Sequence, residues 1–389
     1  MRRGVKLRLG VSILVTAITA AGVLMPSAAL AQANHGVVSS TQTITTQAAA
    51  TMAYWTAERM RDATPMPMRL ARLSQPPTKI QREGSTAGPM VIANSGRPGD
   101  IPQEQTIGEE TQGTMEPLVE PLAGTFPFVY TRYRLFPETE TNLLYRIFPY
   151  VLTGKLFFIM PGEGNFVCSG ASVNAQNRSV VWTAGHCVFS PGESPEQPVG
   201  FHTNFLFVPG RIAGANPVGA WTVLQAFTLV GWTRGLLEYD HGALVMNRGG
   251  VANERIGDAI GFLGFIANDA RQQHWHLHGY PAGPRDLGST PPGPQFDGEH
   301  HEICAAAWAG DDQPTGTPGV DPPTIGVGCD QTGGSSGGPW VIDFSGFPGR
   351  TNLLNGNISY TYTGLELFSP YFTDGAINLR NAAQTVSVP

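Results

Sequence analysis

The chain is 389 residues long, which is enough for two or three domains with sizeable cores. Only 14% of its residues are charged and its formal net charge is −6, so it lacks the basic footprint that a nucleic-acid partner requires. Its 48 glycines and 32 prolines stay below the share that marks a low-complexity chain. We therefore expect a globular protein that does not bind nucleic acid.

The amino terminus has the features of a secretion signal over residues 1–31. Basic residues come first, an apolar stretch covers residues 10–25, and Ala29-Leu30-Ala31 forms a small-x-small cleavage site. A retained membrane anchor is the alternative, but the apolar stretch is shorter than the roughly 20 residues that span a bilayer. We therefore expect a secreted, extracellular protein with no membrane contact in its mature form.

Residues 32–125 differ in composition from the rest of the chain and are predicted to be a propeptide. They are rich in Thr, Gln, Ala, Met and Pro, and runs such as residues 95–100 cannot bury enough apolar surface to order themselves. We expect a largely disordered segment with one short helix at residues 55–61, before Pro65. A plain disordered linker is the alternative, and the mature chain is expected to start between about residues 125 and 145.

The remaining residues, 126–389, are predicted to form one β-rich domain. Short apolar runs at residues 156–160 and 204–208 stop at Pro-Gly turns, and a third at residues 179–182 leads into a turn that contains a histidine. Many short strands with such turns are typical of an all-β barrel or sandwich, and periodicity alone does not choose between the two. Residues 374–381 are predicted to form a short helix or turn.

Three motifs contain residue types that act together in nucleophilic catalysis. A histidine lies in Thr183-Ala184-Gly185-His186-Cys187, Asp240 opens an apolar run, and a serine lies in Gly334-Ser335-Ser336-Gly337-Gly338-Pro339. The order His, Asp, Ser is one of three chain orders that build the same catalytic triad. Because the motifs are far apart in the sequence, we expect a site formed between two β-rich halves, with His186 and Asp240 from the first and Ser336 from the second.

Each of these residues also has an ordinary structural explanation. Ser336 could belong to a simple turn, since Gly, Ser and Pro dominate turns. Ser335 is a second candidate nucleophile, but it sits one place too early relative to the paired glycines. Asp240 is favoured because only it opens an apolar strand at a suitable spacing. Its competitors are nearby acidic residues that could be ordinary solvated carboxylates: Glu238, Asp258 and Asp269.

At these motifs the chain resembles the trypsin-like (chymotrypsin-clan) serine peptidases, and it is most similar to the secreted branch related to the V8-like glutamyl endopeptidases. The resemblance covers about residues 125–389 and also includes residues 168–170, 207–210, 279–281 and 329–340. It implies two antiparallel six-stranded β-barrels, the first over about residues 140–250 and the second over about residues 255–380. It also implies that no cofactor is needed.

The resemblance gives each motif a role in a secreted serine endopeptidase that hydrolyses polypeptide substrates through an acyl-enzyme. His186 is expected to accept the Ser336 proton as the hydroxyl attacks a carbonyl, and Asp240 to fix the imidazole tautomer. The backbone N–H groups of Gly334 and Ser336 are the expected oxyanion-hole donors. Two alternatives stay open: a catalytically silent peptidase-like binding protein, and a triad esterase with weak peptidase activity. The protein is expected to be a monomer.

Four cysteines in an exported chain are expected to form two disulfides, for which three connectivities are possible. The resemblance implies a Cys168–Cys187 bond that holds the histidine turn against a neighbouring strand. We expect Cys304–Cys329 as the second bond, which would close a Gly/Pro/Asp-rich loop just before the nucleophile. A metal site made of these cysteines would be typical of a cytosolic protein, and export disfavours it.

The primary specificity pocket is predicted from residues on both sides of the nucleophile: Asp330, Gln331, Thr332, Ser359, Tyr360 and Thr361. Asp330 stands at the offset at which trypsins place the acid that binds Arg or Lys, but its cysteine neighbour is placed differently. Glu-specific relatives usually have a histidine in the pocket strand, and no histidine occurs here after His301. A glutamate preference is therefore not expected, and residues 359–361 would permit an apolar or mixed preference.

Ser335 marks a further departure from the trypsin pattern. Trypsins have an aspartate directly before the nucleophile, where it pairs with a newly freed amino terminus, and this chain has Ser335 there. Activation through that salt bridge is therefore not expected. The branch resemblance implies instead that removal of the propeptide uncovers the cleft.

Three alternating histidines, His274, His276 and His278, would point to one face of a strand. Such a face could in principle bind zinc or copper. A half-buried strand of partly satisfied histidines is the simpler interpretation, because a metal site also needs a further ligand and supporting hydrogen bonds. No metal site is therefore predicted.

Overall fold

The computed structural model describes residues 33–40, 45–70, 88–107, 123–125, 127–135, 143–192, 199–283, 296–314 and 322–389. The predicted signal at residues 1–31 lies outside the described residues. Within the described part, the chain is mostly β-structure, with a few short helices.

The elements before residue 135 are short. The helices here are α1 Thr45–Tyr54 and α2 Ala57–Arg61. The strands are β1 Val37–Ser39, β2 Thr64–Pro65, β3 Arg69–Leu70, β4 Met90–Ala93, β5 Glu104–Ile107, β6 Ala123–Thr125 and β7 Phe128–Arg134. Helix α2 confirms the short helix predicted at residues 55–61, and the Thr56 hydroxyl caps its amino end by accepting from the Arg59 N–H.

The first half of the domain is a closed barrel. Its elements are β8 Thr153–Met160, β9 Gly164–Val173, β10 Val180–Thr183, β11 Phe189–Ser190, β12 Gly200–Phe201, β13 Thr203–Pro209, β14 Trp221–Leu229, α3 Val230–Thr233 and β15 Gly242–Met246. Six antiparallel strands pair in the ring β8-β9-β10-β15-β14-β13, and β13 returns to β8. The strands predicted at residues 156–160, 179–182 and 204–208 all belong to this ring.

The second half is a larger sheet. Its elements are α4 Ile256–Ile260, β16 Gly264–Ala267, β17 His274–Gly279, β18 Ala282–Gly283, β19 Phe296–Asp297, β20 Glu302–Asp312, β21 Thr324–Gly328, β22 Pro339–Ile342, β23 Leu353–Asn357, β24 Tyr360–Thr361, β25 Glu366–Ser369 and α5 Asp374–Gln384. The main strands are ordered β24-β25-β21-β20-β17-β22-β23-β16. A closed six-stranded antiparallel barrel beside this second sheet confirms the predicted all-β, chymotrypsin-like fold.

Each half has its own apolar core. Trp182 and Trp221 are wholly buried in the first core, and Trp275 and Trp340 in the second. Helix α5, predicted at residues 374–381, lies against the first barrel and buries Leu379 in the first core. Among the described helices, none is long and apolar enough to cross a bilayer.

The described parts of residues 32–125 are ordered by the two halves of the domain. Strand β1 pairs with β14, β2 with β9, β3 with β24 and β4 with β16. Residues 95 and 96 bridge to Gly349 and Phe262. The composition of this segment predicts disorder for a free chain, because it cannot build a core of its own. The edge strands of the domain supply the hydrogen-bond partners that it lacks.

Candidate active site

His186 lies in a tight turn that follows β10 directly. The turn, Gly185–Cys187, is one 3₁₀ turn, and Cys187 is bonded to Cys168 on β9. A side chain at Gly185 would come within 2.7 Å of the Trp232 ring and 3.0 Å of Asp240 Oδ1. Glycine at this position therefore allows the backbone of the turn to lie close to Asp240.

Asp240 meets His186 because β10 and β15 are neighbours in the barrel. Asp240 lies just before β15, and Thr183 is paired with Gly242. Asp240 Oδ1 accepts the His186 backbone N–H at 2.7 Å, and Oδ2 lies 2.7 Å from the ring Nδ1. Both side chains are buried. The carboxylate therefore favours the tautomer with hydrogen on Nδ1, which leaves Nε2 able to accept a proton.

Two residues of the second half hold Asp240 in place. The Ser359 hydroxyl donates to Asp240 Oδ2 at 2.6 Å. The Asn357 side-chain amide donates to the Asp240 main-chain oxygen at 3.0 Å, and its Oδ1 accepts from the Trp182 indole at 3.2 Å. The aspartate of the first barrel is thus fixed by hydrogen bonds from the second half.

Ser336 lies in the loop between β21 and β22, which packs against the residues leading to His186. The Ser169 backbone N–H donates to the main-chain carbonyl oxygen of Ser336 at 2.8 Å. Gly337 has a φ of 78°, and a Cβ there would collide with Thr183 Oγ1 and lie 2.8 Å from the Ala184 nitrogen. Only glycine permits this approach. Ser336 Oγ and His186 Nε2 are both buried, and neither has a hydrogen-bond partner among the described residues.

Gly334 presents its backbone N–H to the same cleft. Its carbonyl points the other way and accepts from the Ser169 hydroxyl at 2.9 Å, while that hydroxyl accepts from the Tyr280 N–H at 3.0 Å. The Gly334 N–H donates to the carbonyl of Met66 at 3.0 Å. The group predicted as an oxyanion donor thus binds a carbonyl oxygen from a distant part of the chain.

Asp330 is paired inside the protein. Its carboxylate is buried, and Arg132 Nη1 lies 3.4 Å from Oδ2. Arg132 comes to this place because β7 pairs with β20, where Arg132 is opposite Cys304, and Cys304 is bonded to Cys329 beside Asp330. A cation of the chain thus already neutralises the acid that trypsins use to bind basic side chains.

The other predicted pocket residues also have internal partners. The Gln331 side-chain amide donates to the main-chain oxygens of Leu277 and Glu302, and the Thr332 hydroxyl donates to the main-chain oxygen of Ala282. Further along, the hydroxyl of Tyr360 donates to Asp312 and that of Thr361 to Glu366. Ser359 bonds to Asp240, as described above. All six predicted pocket residues thus have polar partners within the protein.

The alternating histidines of β17 share one face, as their spacing predicts. His276 lies beside His274 and Phe344, and His278 Nδ1 is 2.9 Å from His301 Nε2. Burial lowers the pKa of His276 to about 4 and that of His301 to about 3, so both rings are neutral at pH 7. Among the described residues, the only clusters of potential metal ligands contain disulfide-bonded cysteines. Their sulfurs cannot act as thiolate ligands.

Sequence reasoning missed several residues of the site. It assigned Ser359 to the pocket and did not predict that its hydroxyl bonds to the Asp240 carboxylate. It gave no role to Ser169, which holds the Gly334 carbonyl, or to Arg132, which pairs with Asp330. The Cys168-Ser169-Gly170 motif carried the only available signal for Ser169. Nothing local marks Arg132, because its partner depends on strand pairing.

Comparisons with known proteins place the chain in a family. No family model and no curated protein sequence matches the chain. Among solved structures, the protease Anisep from Arthrobacter nicotinovorans is 34% identical, with a TM-score of 0.50, over 61% of this chain and 97% of its own. The thermostable serine protease AL20 from an extremophilic microorganism is 30% identical, with a TM-score of 0.48, over 61% of this chain and 99% of its own. The similarity to the first of these shows that the chain belongs to the trypsin- and chymotrypsin-like serine proteases.

Proposed function

We propose that the protein is a secreted serine endopeptidase in which Ser336, His186 and Asp240 form the catalytic triad, in the branch related to the V8-like peptidases. The observation that carries the proposal is the pair of contacts between the Asp240 carboxylate and His186. One carboxylate binds both the backbone N–H and the ring Nδ1 of the same histidine, in the cleft that contains Ser336. The two disulfides fit an oxidising, extracellular environment.

The reaction is an acyl transfer in two halves. Ser336 Oγ bonds to the substrate carbonyl carbon while its proton passes to His186 Nε2, and the oxyanion is bound by the N–H groups of Gly334 and Ser336. The C–N bond then breaks and Nε2 returns the proton to the leaving amine. Water repeats the sequence on the acyl-enzyme and releases the acid. Asp240 orients the ring and stabilises the imidazolium without taking the proton.

The side-chain preference of the enzyme is proposed to be neutral. Arg132 already pairs with Asp330, and Glu366 accepts the backbone N–H groups of Tyr362 and Thr363 beside Thr361. A buried acid with these partners offers little to an incoming Arg or Lys. We therefore propose polypeptide substrates with an apolar or small polar side chain at the cleavage site.

One observation favours a catalytically silent binding protein. Ser336 Oγ and His186 Nε2 lack a hydrogen-bond partner among the described residues, so a nucleophile–base bond is not made in this state. Such bonds are often long in free enzymes and tighten when substrate binds. The test must therefore measure turnover.

A mixed peptide library separates the candidates. The protein recovered from the medium of an exporting host is incubated with the library and, in parallel, with small ester substrates, and new peptide termini are identified by mass spectrometry. An endopeptidase produces internal cuts that are absent in Ser336→Ala. Ester turnover without peptide cuts would identify an esterase. No turnover of either substrate, by protein from which residues 32–125 have been removed, would favour the silent binding protein.

A further inference from the structure

Residues 64–70, which we call the strap, lie across the proposed catalytic cleft. On one side of the nucleophile, Thr64 and Pro65 in β2 pair with Phe166 and Val167 in β9. On the other side, β3 pairs with β24, the strand that follows Ser359. We propose that the strap is a tethered inhibitor that fills the peptide-binding edges of the intact chain in the direction opposite to a substrate, so that Ser336 does not cut it. This inference rests on the proposed function, because it assigns a regulator to that same site.

Met66 bonds through its backbone to both β9 and the serine loop. Its N–H donates to the Val167 oxygen at 2.9 Å, and its carbonyl accepts from the Gly334 N–H at 3.0 Å. A Cβ at Gly333 would lie 2.9 Å from the main-chain oxygen of Met66, so the strap packs directly against the backbone of the serine loop. The proposed oxyanion donor is thus already occupied by a carbonyl of the chain itself.

The cleft is covered while the strap is in place. Ser336 is 0% exposed and His186 is 1% exposed. A serine and a histidine that act on large polypeptides must be reached by the substrate, so we expect no turnover in this state. The strap must therefore leave before a substrate can bind.

The strap is anchored on the first barrel just before it enters the cleft. Trp55 is buried with Met60 and Ala63 in a small apolar cluster against β8, β9 and β13, and its indole N–H donates to the Asn204 oxygen at 2.5 Å. Downstream, β4 pairs with β16 of the second half. Attachment on both sides of the cleft makes strap binding intramolecular, which raises its effective concentration.

The sequence of the strap suits it to being bound without being cut. Pro65 and Pro67 flank Met66, and a residue that precedes proline is restricted to extended conformations, so little order is lost on binding. The bound carbonyl belongs to the Met66–Pro67 peptide bond, and the residues after that bond lie on β24. That strand contains the predicted specificity pocket, which would bind the residue before a cut. The strap is therefore held in the wrong direction for cleavage.

The experiment measures access to Ser336 in the full chain. A fluorophosphonate probe is applied to the wild type, to Trp55→Ala, which removes the anchor, and to Met52→Ala, an exposed methionine on α1 as the matched control. Labelling should follow the fraction of molecules with the strap released. We expect Trp55→Ala to label about 100-fold faster than the wild type, and Met52→Ala to label like the wild type. Equal rates for wild type and Trp55→Ala would overturn the proposal.

Two further measurements keep the result clear if Trp55→Ala folds poorly. In the full chain, Pro67→Ala frees the backbone of the strap and should label Ser336 faster than the wild type, and Pro98→Ala, at an exposed proline, should label like the wild type. The synthetic peptide of residues 63–70 should slow labelling of Pro67→Ala. Wild-type labelling of Pro67→Ala together with a peptide that has no effect would overturn the proposal.

Hydrogen exchange separates failure of the strap from failure of the proposed function. Peptides covering residues 63–70 and 330–337 should exchange slowly in the wild type and faster in Trp55→Ala. Fast exchange of residues 63–70 in the wild type would overturn the strap whatever the activity. Slow exchange, with no labelling of Ser336 in any variant, would overturn the proposed function and the inhibitory role, and would leave the placement of the strap intact.

Discussion

Two buried histidine sites in this molecule differ in what the ring meets. His186 is held by the Asp240 carboxylate and lies in the cleft of Ser336, whereas His278 and His301 meet each other and His301 stacks on Tyr280. In the second site burial lowers the pKa of both histidines, and no carboxylate reverses that effect. Burial alone therefore yields a neutral, structural histidine. A carboxylate on one ring nitrogen, in a cleft shared with a serine, is what makes His186 a candidate base.

The largest expected effect comes from removing the charge of Asp240. In Asp240→Asn, the amide oxygen can keep the His186 backbone N–H, but the NH₂ group then faces Nδ1 and favours hydrogen on Nε2. That tautomer cannot accept the serine proton. Turnover should fall about 10⁴-fold, a magnitude known for the equivalent change in another member of this class.

The measurement is peptide turnover in the Trp55→Ala background, where the strap is expected to be released. Asp258→Asn is the matched control, because Asp258 pairs with Arg178 and Arg255 away from the cleft. Similar losses in both variants would show that the charge of Asp240 has no special role.

The second histidine site should affect acid stability and not turnover. The pKa of His301 is about 3 in the folded protein against an ordinary value of 6.5, so the unfolded chain binds a proton more readily. Its stabilising effect is complete above pH 6.5 and is lost as the pH falls from 6.5 towards 3, on the order of 4 kcal/mol for a fully buried ring. The free energy of unfolding, measured by urea titration, should fall steeply across this range.

His301→Gln sharpens this contrast, because glutamine can still bond to His278 but does not titrate. The pH dependence should become shallower below pH 6.5, and peptide turnover at pH 7.5 should stay near that of the Trp55→Ala background. An unchanged pH dependence would remove His301 from the account of acid stability. A large loss of turnover would contradict the claim that His301 has no part in catalysis.

Ser359→Ala tests the finer support of the first site. The Asp240 carboxylate would lose one of its hydrogen-bond donors and hold the ring less firmly. A hydrogen bond to a charged group contributes about 1.5–3 kcal/mol, so kcat should fall about tenfold or somewhat more. Ser95→Ala, which removes a buried hydroxyl far from the triad, is the control and should keep its kcat.

The sequence was sufficient for the parts of the site that depend on local motifs. The order of His186, Asp240 and Ser336, the strand before His186, the strand after Asp240, and the two disulfides all followed from short segments and a family resemblance. The contacts that depend on tertiary pairing did not follow. Ser359 reaches Asp240 across the boundary between the two halves, and Arg132 reaches Asp330 through the pairing of β7 with β20.

The strap shows the same limit in a stronger form. Residues 64–70 contain two prolines and two methionines, a composition that predicts an irregular chain. Their order comes from β9 and β24, which are distant in the sequence. Composition describes what a segment does alone, and it does not report which strand edges are available to it.

The most direct test of the central claim is the site and dependence of covalent labelling. Trp55→Ala protein treated with a fluorophosphonate should carry one label, located by mass spectrometry on Ser336, and His186→Ala in the same background should label far more slowly. A label on Ser335, or equal labelling with and without His186, would contradict the claim that Asp240 and His186 activate Ser336.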